Sequence, residues 1–264
     1  MTLHKITPYF TLLFTFLILS CSSGSDSDNT PADPTLANKQ ALGSSARDFL
    51  STEEFTLMNV EIAYVDGFKP SETTLSNLRS FFTERLNKPD GVTFTETVVP
   101  ATSVGSLNRD EYVAIENDNR TVFNEGDALG VWVFFADQNS ESDEGNSRIL
   151  GTAYRNTSCI IFGTTLREFS RGITGPSLTQ LEIITTEHEF GHLFGLVNLG
   201  TEMVRDHEDE TADDDGGETP NKHCDQEDCL MYFQTVADAT STAMNNLPTF
   251  GEFCLEDLRA NGGK

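Results

Sequence analysis

The sequence predicts an α+β domain, and three observations carry that prediction. Apolar runs of strand length recur at Phe55–Val65, Val92–Val98 and Leu129–Phe135. Between them, Leu75, Leu78, Phe82 and Leu86 recur at helical spacing. The order is a strand, a helix, more strands and then a long helix, with no internal repeat. The chain has 264 residues, 37% hydrophobic and 22% charged, a globular composition with room for one generous domain or two small ones.

The elements follow in order. Phe55 to Val65 reads as a strand closed by Asp66-Gly67, and Pro70-Ser71 opens the helix that Lys88-Pro89-Asp90-Gly91 stops. Val92 to Val98 alternates as a half-buried strand does. A short helix is expected over Arg109–Glu116, and Leu129–Phe135, with the only Trp, is a continuous apolar strand. Beyond a polar loop, Ile149–Tyr154 and Ser158–Phe162 read as two further strands. Ser177 caps a helix running through Leu181, Ile184, His188 and His192 to Gly195.

Residues 1–20 read as an address. Tyr9 to Leu19 is an apolar run of signal-peptide length, too short to span a bilayer. It ends at Cys21, and the boundary resembles the lipobox of bacterial lipoproteins, in which that cysteine is acylated. Residues 21–44 are then a flexible polar tether, with the folded domain at 45–264 and a C-terminal subdomain from 195. The resemblance implies an extracytoplasmic, lipid-anchored protein on a bacterial, outer-type membrane, exposed at the surface. The formal net charge of -25 repels phosphate backbones and excludes nucleic acid as a partner. A monomer is expected.

His188, His192, His207 and His223 fall within 36 residues, in a chain with five His in all. His188-Glu189-Phe190-Gly191-His192 places two imidazoles one helical turn apart, where both reach one zinc ion. Glu189 beside them can take a proton from a zinc-activated water. The stretch from His188 to Asn198, with Gly195 for the tight turn, resembles the HExxHxxGxxH signature of metzincin zinc peptidases, with Asn198 where the third His is expected. His223-Cys224 to Cys229-Leu230-Met231 resembles the archaemetzincin segment H-C-x4-C-x-M, in which the Met lies in a turn under the zinc.

The resemblance implies a twisted, mixed sheet with an antiparallel edge strand lining the substrate cleft, a backing helix and the HExxH helix. Ile149–Tyr154 is the candidate edge. It also implies zinc on His188, His192 and a third ligand. His223 is preferred because Met231 follows it at the family's interval, and His207 is the alternative. A gluzincin reading finds no suitable downstream Glu motif.

The archaemetzincin resemblance also implies a second zinc site on Cys224, Cys229 and Cys254, with Asp257 where the family has a fourth thiolate, but a disulfide among the three cysteines is the preferred reading. Cys159 reads as a buried apolar residue. Asp206 to Glu218 carries eight carboxylates, but EF-hand spacing fails, so a solvated loop is preferred to a Ca2+ site. No G-x-S-x-G, P-loop or dinucleotide motif occurs. The expected function is a zinc endopeptidase acting on extracytoplasmic proteins or peptides, with Glu189 as base. The alternative is a non-catalytic zinc-binding surface lipoprotein, motivated by Asn198.

Overall fold

The computed structural model describes residues 33–264, apart from 104, 146, 173–174, 211–220 and 233–246. The signal segment, Cys21 and much of the acidic loop therefore lie outside the described residues. A five-stranded sheet organises the rest, in the order β2-β1-β4-β7-β6. Its strands are β1 (Leu57–Val65), β2 (Gly91–Val99), β4 (Ala128–Ala136), β6 (Gly151–Arg155) and β7 (Ser158–Phe162). The short pair β3 (Ser106–Leu107) and β5 (Asn139–Ser140) stands apart. Pairings within the main sheet are parallel except β6 with β7, so the sheet ends on an antiparallel edge strand.

Alternation along the strands divides the core in two. Met58, Val60, Ile62, Val131, Val133 and Phe135 face the larger cluster, beneath the helices α2 (Glu72–Arg85) and α5 (Leu178–Leu193). Ala63, Val65, Trp132 and Phe134 face the smaller one, with Tyr112 of α3 (Arg109–Asn119). Both faces are covered, which explains why β4 is apolar at every position instead of alternating.

The buried carboxylate of Glu61 in the middle of β1 is satisfied by Thr97 Oγ1 at 2.6 Å and the Thr121 and Val122 amides at 2.9 and 2.8 Å. Glu116, Arg120 and Ser158 form a second buried polar network under α3.

Ser177 caps α5 through a reciprocal pair with Gln180, and Asn108 caps α3 in the same way with Glu111. Glu182 Oε2 of α5 accepts from Ser71 N and Thr74 Oγ1, at 3.1 and 2.5 Å, which ties α5 to the start of α2. Phe190 packs edge-on to Phe82 with centroids 4.6 Å apart, beside Phe49 and Phe194. Truncating such a ring costs about 3–5 kcal/mol, so this cluster fixes the rotation of α5 about its axis.

Three helices escaped the sequence reading: α1 (Ala46–Leu50), α4 (Gly163–Phe169) and α6 (Glu252–Ala260). The first two are under two turns long and carry little periodicity. The boundary at 45 is also corrected. Pro34–Asn38 forms a 3-10 turn and Asn38 is fully buried, bonding Asn124, Gly130 O and Thr157, so the compact unit begins at Asp33. Polar side chains hold this segment, which is why its composition resembled a tether. Among the described residues no helix is long and apolar enough to cross a membrane.

Candidate metal centre and substrate cleft

His188 and His192 project from one face of α5 because they are four residues apart, while Phe190 points the opposite way into the core. Gly195 ends the helix with φ 73°, and a side chain there would press on Ala46 Cβ and Thr201 N. The chain then leaves on an excursion closed at its base, where Asp209 N bonds His223 O and Asp225 N bonds His207 O, at 2.8 and 2.9 Å. That pairing delivers His223 to the helix.

The three rings form a near-equilateral triangle, with centroids 5.0 Å apart for His188–His192 and His192–His223 and 5.2 Å for His188–His223. One nitrogen from each lies within 4.8 Å of the others. His188 Nδ1 is 2.7 Å from Leu230 O, and His223 Nδ1 is 2.9 Å from Asn221 O. A carbonyl only accepts, so both Nδ1 atoms carry protons and both Nε2 atoms present lone pairs. His192 Nδ1 is buried without a hydrogen-bond partner. Burial holds all three imidazoles below their ordinary pKa, that of His188 at about 4, so they are neutral ligands at pH 7. This donor set fits a borderline-soft divalent cation such as zinc.

Glu189 is buried, and its Oε2 accepts a 2.7 Å bond from Ala153 N on edge strand β6. Burial pushes its carboxyl up to about 8, opposed by that amide. A neighbouring dication would favour the ionised form. The close approach depends on Gly151, where a Cβ would lie 2.8 Å from both Glu189 Oε1 and Thr185 Cγ2. Beneath the helix, Met231 is fully buried with its sulfur against Gly191, where any side chain would overlap it. The histidines, Glu189 and the start of β6 line one cleft of about 590 Å3, walled also by Leu42, Phe169 and Leu199.

The remaining site candidates go elsewhere. Asn198 is exposed with φ 57°, and its amide donates to Glu208 Oε2 at 3.2 Å rather than lining the cleft. His207, the alternative third ligand, is buried away from the imidazole triangle, with Nδ1 3.3 Å from Cys224 Sγ and Nε2 2.8 Å from Asp257 Oδ2. Its ligand atom lies within 4.8 Å of those of Cys224 and Cys254. Cys229 Sγ is 3.5 Å from Cys254 Sγ and accepts from the Gly251 and Met231 amides at 3.2 and 3.4 Å. Hydrogen bonds from Cys224 and Cys254, with these amides, hold the Cys229 thiol well below its ordinary range.

Two sequence expectations are thereby corrected. Cys224, Cys229 and Cys254 are not joined by a disulfide, the Cys229 and Cys254 sulfurs standing 3.5 Å apart. Asp257 contacts His207 and the Val204 amide instead of joining the thiols directly. Nothing in the sequence signals the His207–Asp257 pair, because fifty positions separate them. Leu42 and Phe169 of the cleft were missed for the same reason.

The chain matches no protein-family profile and no curated protein. Among solved structures it is similar to archaemetzincin from Methanopyrus kandleri, at 17% sequence identity and a TM-score of 0.49, covering 78% of this chain and 96% of that one.

Proposed function

We propose that the protein is a zinc-dependent endopeptidase. The observation that carries this reading is the triangle of three neutral imidazoles opening on the same cleft as a buried carboxylate and an open sheet edge. His188, His192 and His223 would hold the metal. When bound, zinc supplies polarisation of the scissile carbonyl and acidification of a water molecule.

The chain's own groups do the rest. The free edge of β6 receives an extended peptide by strand addition. Glu189, oriented by the Ala153 amide, accepts the proton of the attacking water and returns it to the leaving amine. The Leu230 and Asn221 carbonyls fix the two histidine tautomers. Met231 supports the helix between its histidines. Glu189→Gln is expected to retain zinc and lose peptide hydrolysis by at least about a thousandfold. Full activity of that variant sinks the mechanism.

His207, Cys224 and Cys254, with Cys229 Sγ 3.5 Å from Cys254 Sγ, support a second zinc of structural type. Four buried N/S donors would close it, and Asp257 would brace the histidine. The rival reading, a non-catalytic zinc-binding lipoprotein, fits this closed cluster better than it fits the open one.

We also propose the extracytoplasmic, lipid-anchored address, on the sequence around Cys21 alone. Cys21→Ser should move the protein out of the membrane fraction, and unchanged detergent-requiring association refutes the lipobox.

A further inference from the structure

We infer that the cleft selects peptides bearing a carboxylate on the C-terminal side of the bond to be cut, received by the Arg148 guanidinium. The inference rests on the peptidase reading. Basic residues number 17 against 42 acidic ones in the chain, yet among the described residues the cleft lining holds two cations, Arg148 and Lys222, and one carboxylate, Glu189. Cations are thus over-represented in the described lining relative to the chain, which favours anionic ligands beside them.

The two cations are not equivalent. Lys222 Nζ is 3.1 Å from Glu208 Oε1, and that carboxylate neutralises it. Among the described residues Arg148 has no carboxylate within hydrogen-bond range, and its ion pair with Asp143 is a longer one. Its Nη1 donates to the Gly145 and Ser147 carbonyls, both at 2.9 Å, so neutral groups of its own loop fix the guanidinium. The neighbouring carboxylate, Asp143, stands 3.9 Å from Nε, beyond hydrogen-bond range, and its other oxygen is taken by Ile149 N at 2.8 Å. The side chain stays 34% exposed. A guanidinium held in place with donors to spare is preorganised for a planar carboxylate.

Its position sets the polarity of the selection. Arg148 precedes β6, whose far edge is paired to β7 and whose near edge carries the Ala153 amide at Glu189. A peptide pairing antiparallel to that near edge, the more stable sense per residue, runs its C-terminal part from Glu189 toward Arg148. Leu42, Ile149 and Phe169 give the cleft apolar walls, so the favoured ligand combines an apolar residue with the downstream carboxylate. That carboxylate can be a Glu or Asp side chain or the peptide's own C-terminus.

The test uses the zinc-loaded full chain and fluorogenic peptides that differ only by Glu, Gln or Lys at each of the first few positions after an apolar residue. Each is made as free acid and as amide. Fluorescence anisotropy of the same peptides on Glu189→Gln protein reads binding without turnover. The Glu peptide should exceed the Gln peptide about tenfold in kcat/KM and in affinity. Arg148→Gln should abolish that ratio, Arg148→Glu should turn it toward the Lys peptide, and Lys222→Gln should keep it. A gain in the free acids alone assigns the carboxylate to the peptide terminus. Equal binding of Glu and Gln peptides, a ratio that survives Arg148→Gln, or a preference for acids on the N-terminal side each overturns the inference. No turnover of any peptide, with the binding ratio intact, defeats the peptidase reading instead.

Discussion

The imidazole triangle and the thiol cluster share one short stretch, since His223 belongs to the first and Cys224 to the second. Their surroundings differ in every respect that matters for chemistry. The triangle offers three neutral nitrogens to a cleft and has a carboxylate at its side. The cluster offers three thiols and one imidazole, all buried, with a carboxylate behind the imidazole rather than facing the donors. A site with three protein donors leaves room for water and substrate, whereas four donors close the coordination sphere. Adjacent residues thus belong to two different donor groups, the triangle taking His223 and the cluster Cys224.

The comparison breaks if the two sites respond alike to ligand removal. His192→Ala should abolish hydrolysis, by about a thousandfold or more, with little change in thermal midpoint. His207→Ala should lower the midpoint and release one metal equivalent, since a structural zinc contributes folding free energy directly. Metal analysis beside thermal denaturation separates the two, and loss of activity without loss of stability in His207→Ala would erase the distinction.

A smaller effect is expected one step further out. Asp257→Asn keeps every donor but weakens the acceptor that orients His207, and should cost about 10–100-fold in affinity for the second metal. Competition with a chromophoric chelator measures it, and the catalytic metal should be retained.

The gentlest probe is pH in the zinc-free chain. Burial dominates at the triangle and lowers His188 to about 4, so the unfolded chain takes up protons first as pH falls. Stability should decline from about pH 6.5 toward 4 on this account and stay flat below, by on the order of 3 kcal/mol. His207 behaves oppositely. Burial disfavours its charge, but the Asp257 hydrogen bond and charge together outweigh burial and raise its pKa. Its contribution is therefore complete below the unfolded value and is lost as pH rises through the folded one. Imidazole resonances followed by NMR should show His207 titrating above the triangle's histidines, and the reverse order would contradict the assignment of environments.

Much of the frame was legible beforehand. The strands β1, β2, β4 and β7 and the helix α5 were expected to within about two residues at most ends, because continuous apolar runs and a capped helix are local signals. The pairing of His188 with His192, and Glu189 beside them, needed only helical geometry. The amphipathic pattern of α6 was overlooked, whereas two other features had no local signature. Asn38 is buried by amide hydrogen bonds instead of apolar area, and His207 reaches Asp257 across fifty residues.

The sequence by itself determined the spacing on α5, the negative charge and the strand–helix order, since each depends on neighbours along the chain. Tertiary structure alone decided which downstream histidine completes the triangle. The excursion after Gly195 could have returned either His207 or His223 to the helix, and loop length costs too little to choose between them. The backbone pairing of 207–209 with 223–225 made the choice, turning His223 toward the cleft and His207 toward the thiols. It also set Gly151 against Glu189, a contact between a strand and a helix whose distance no residue pattern encodes.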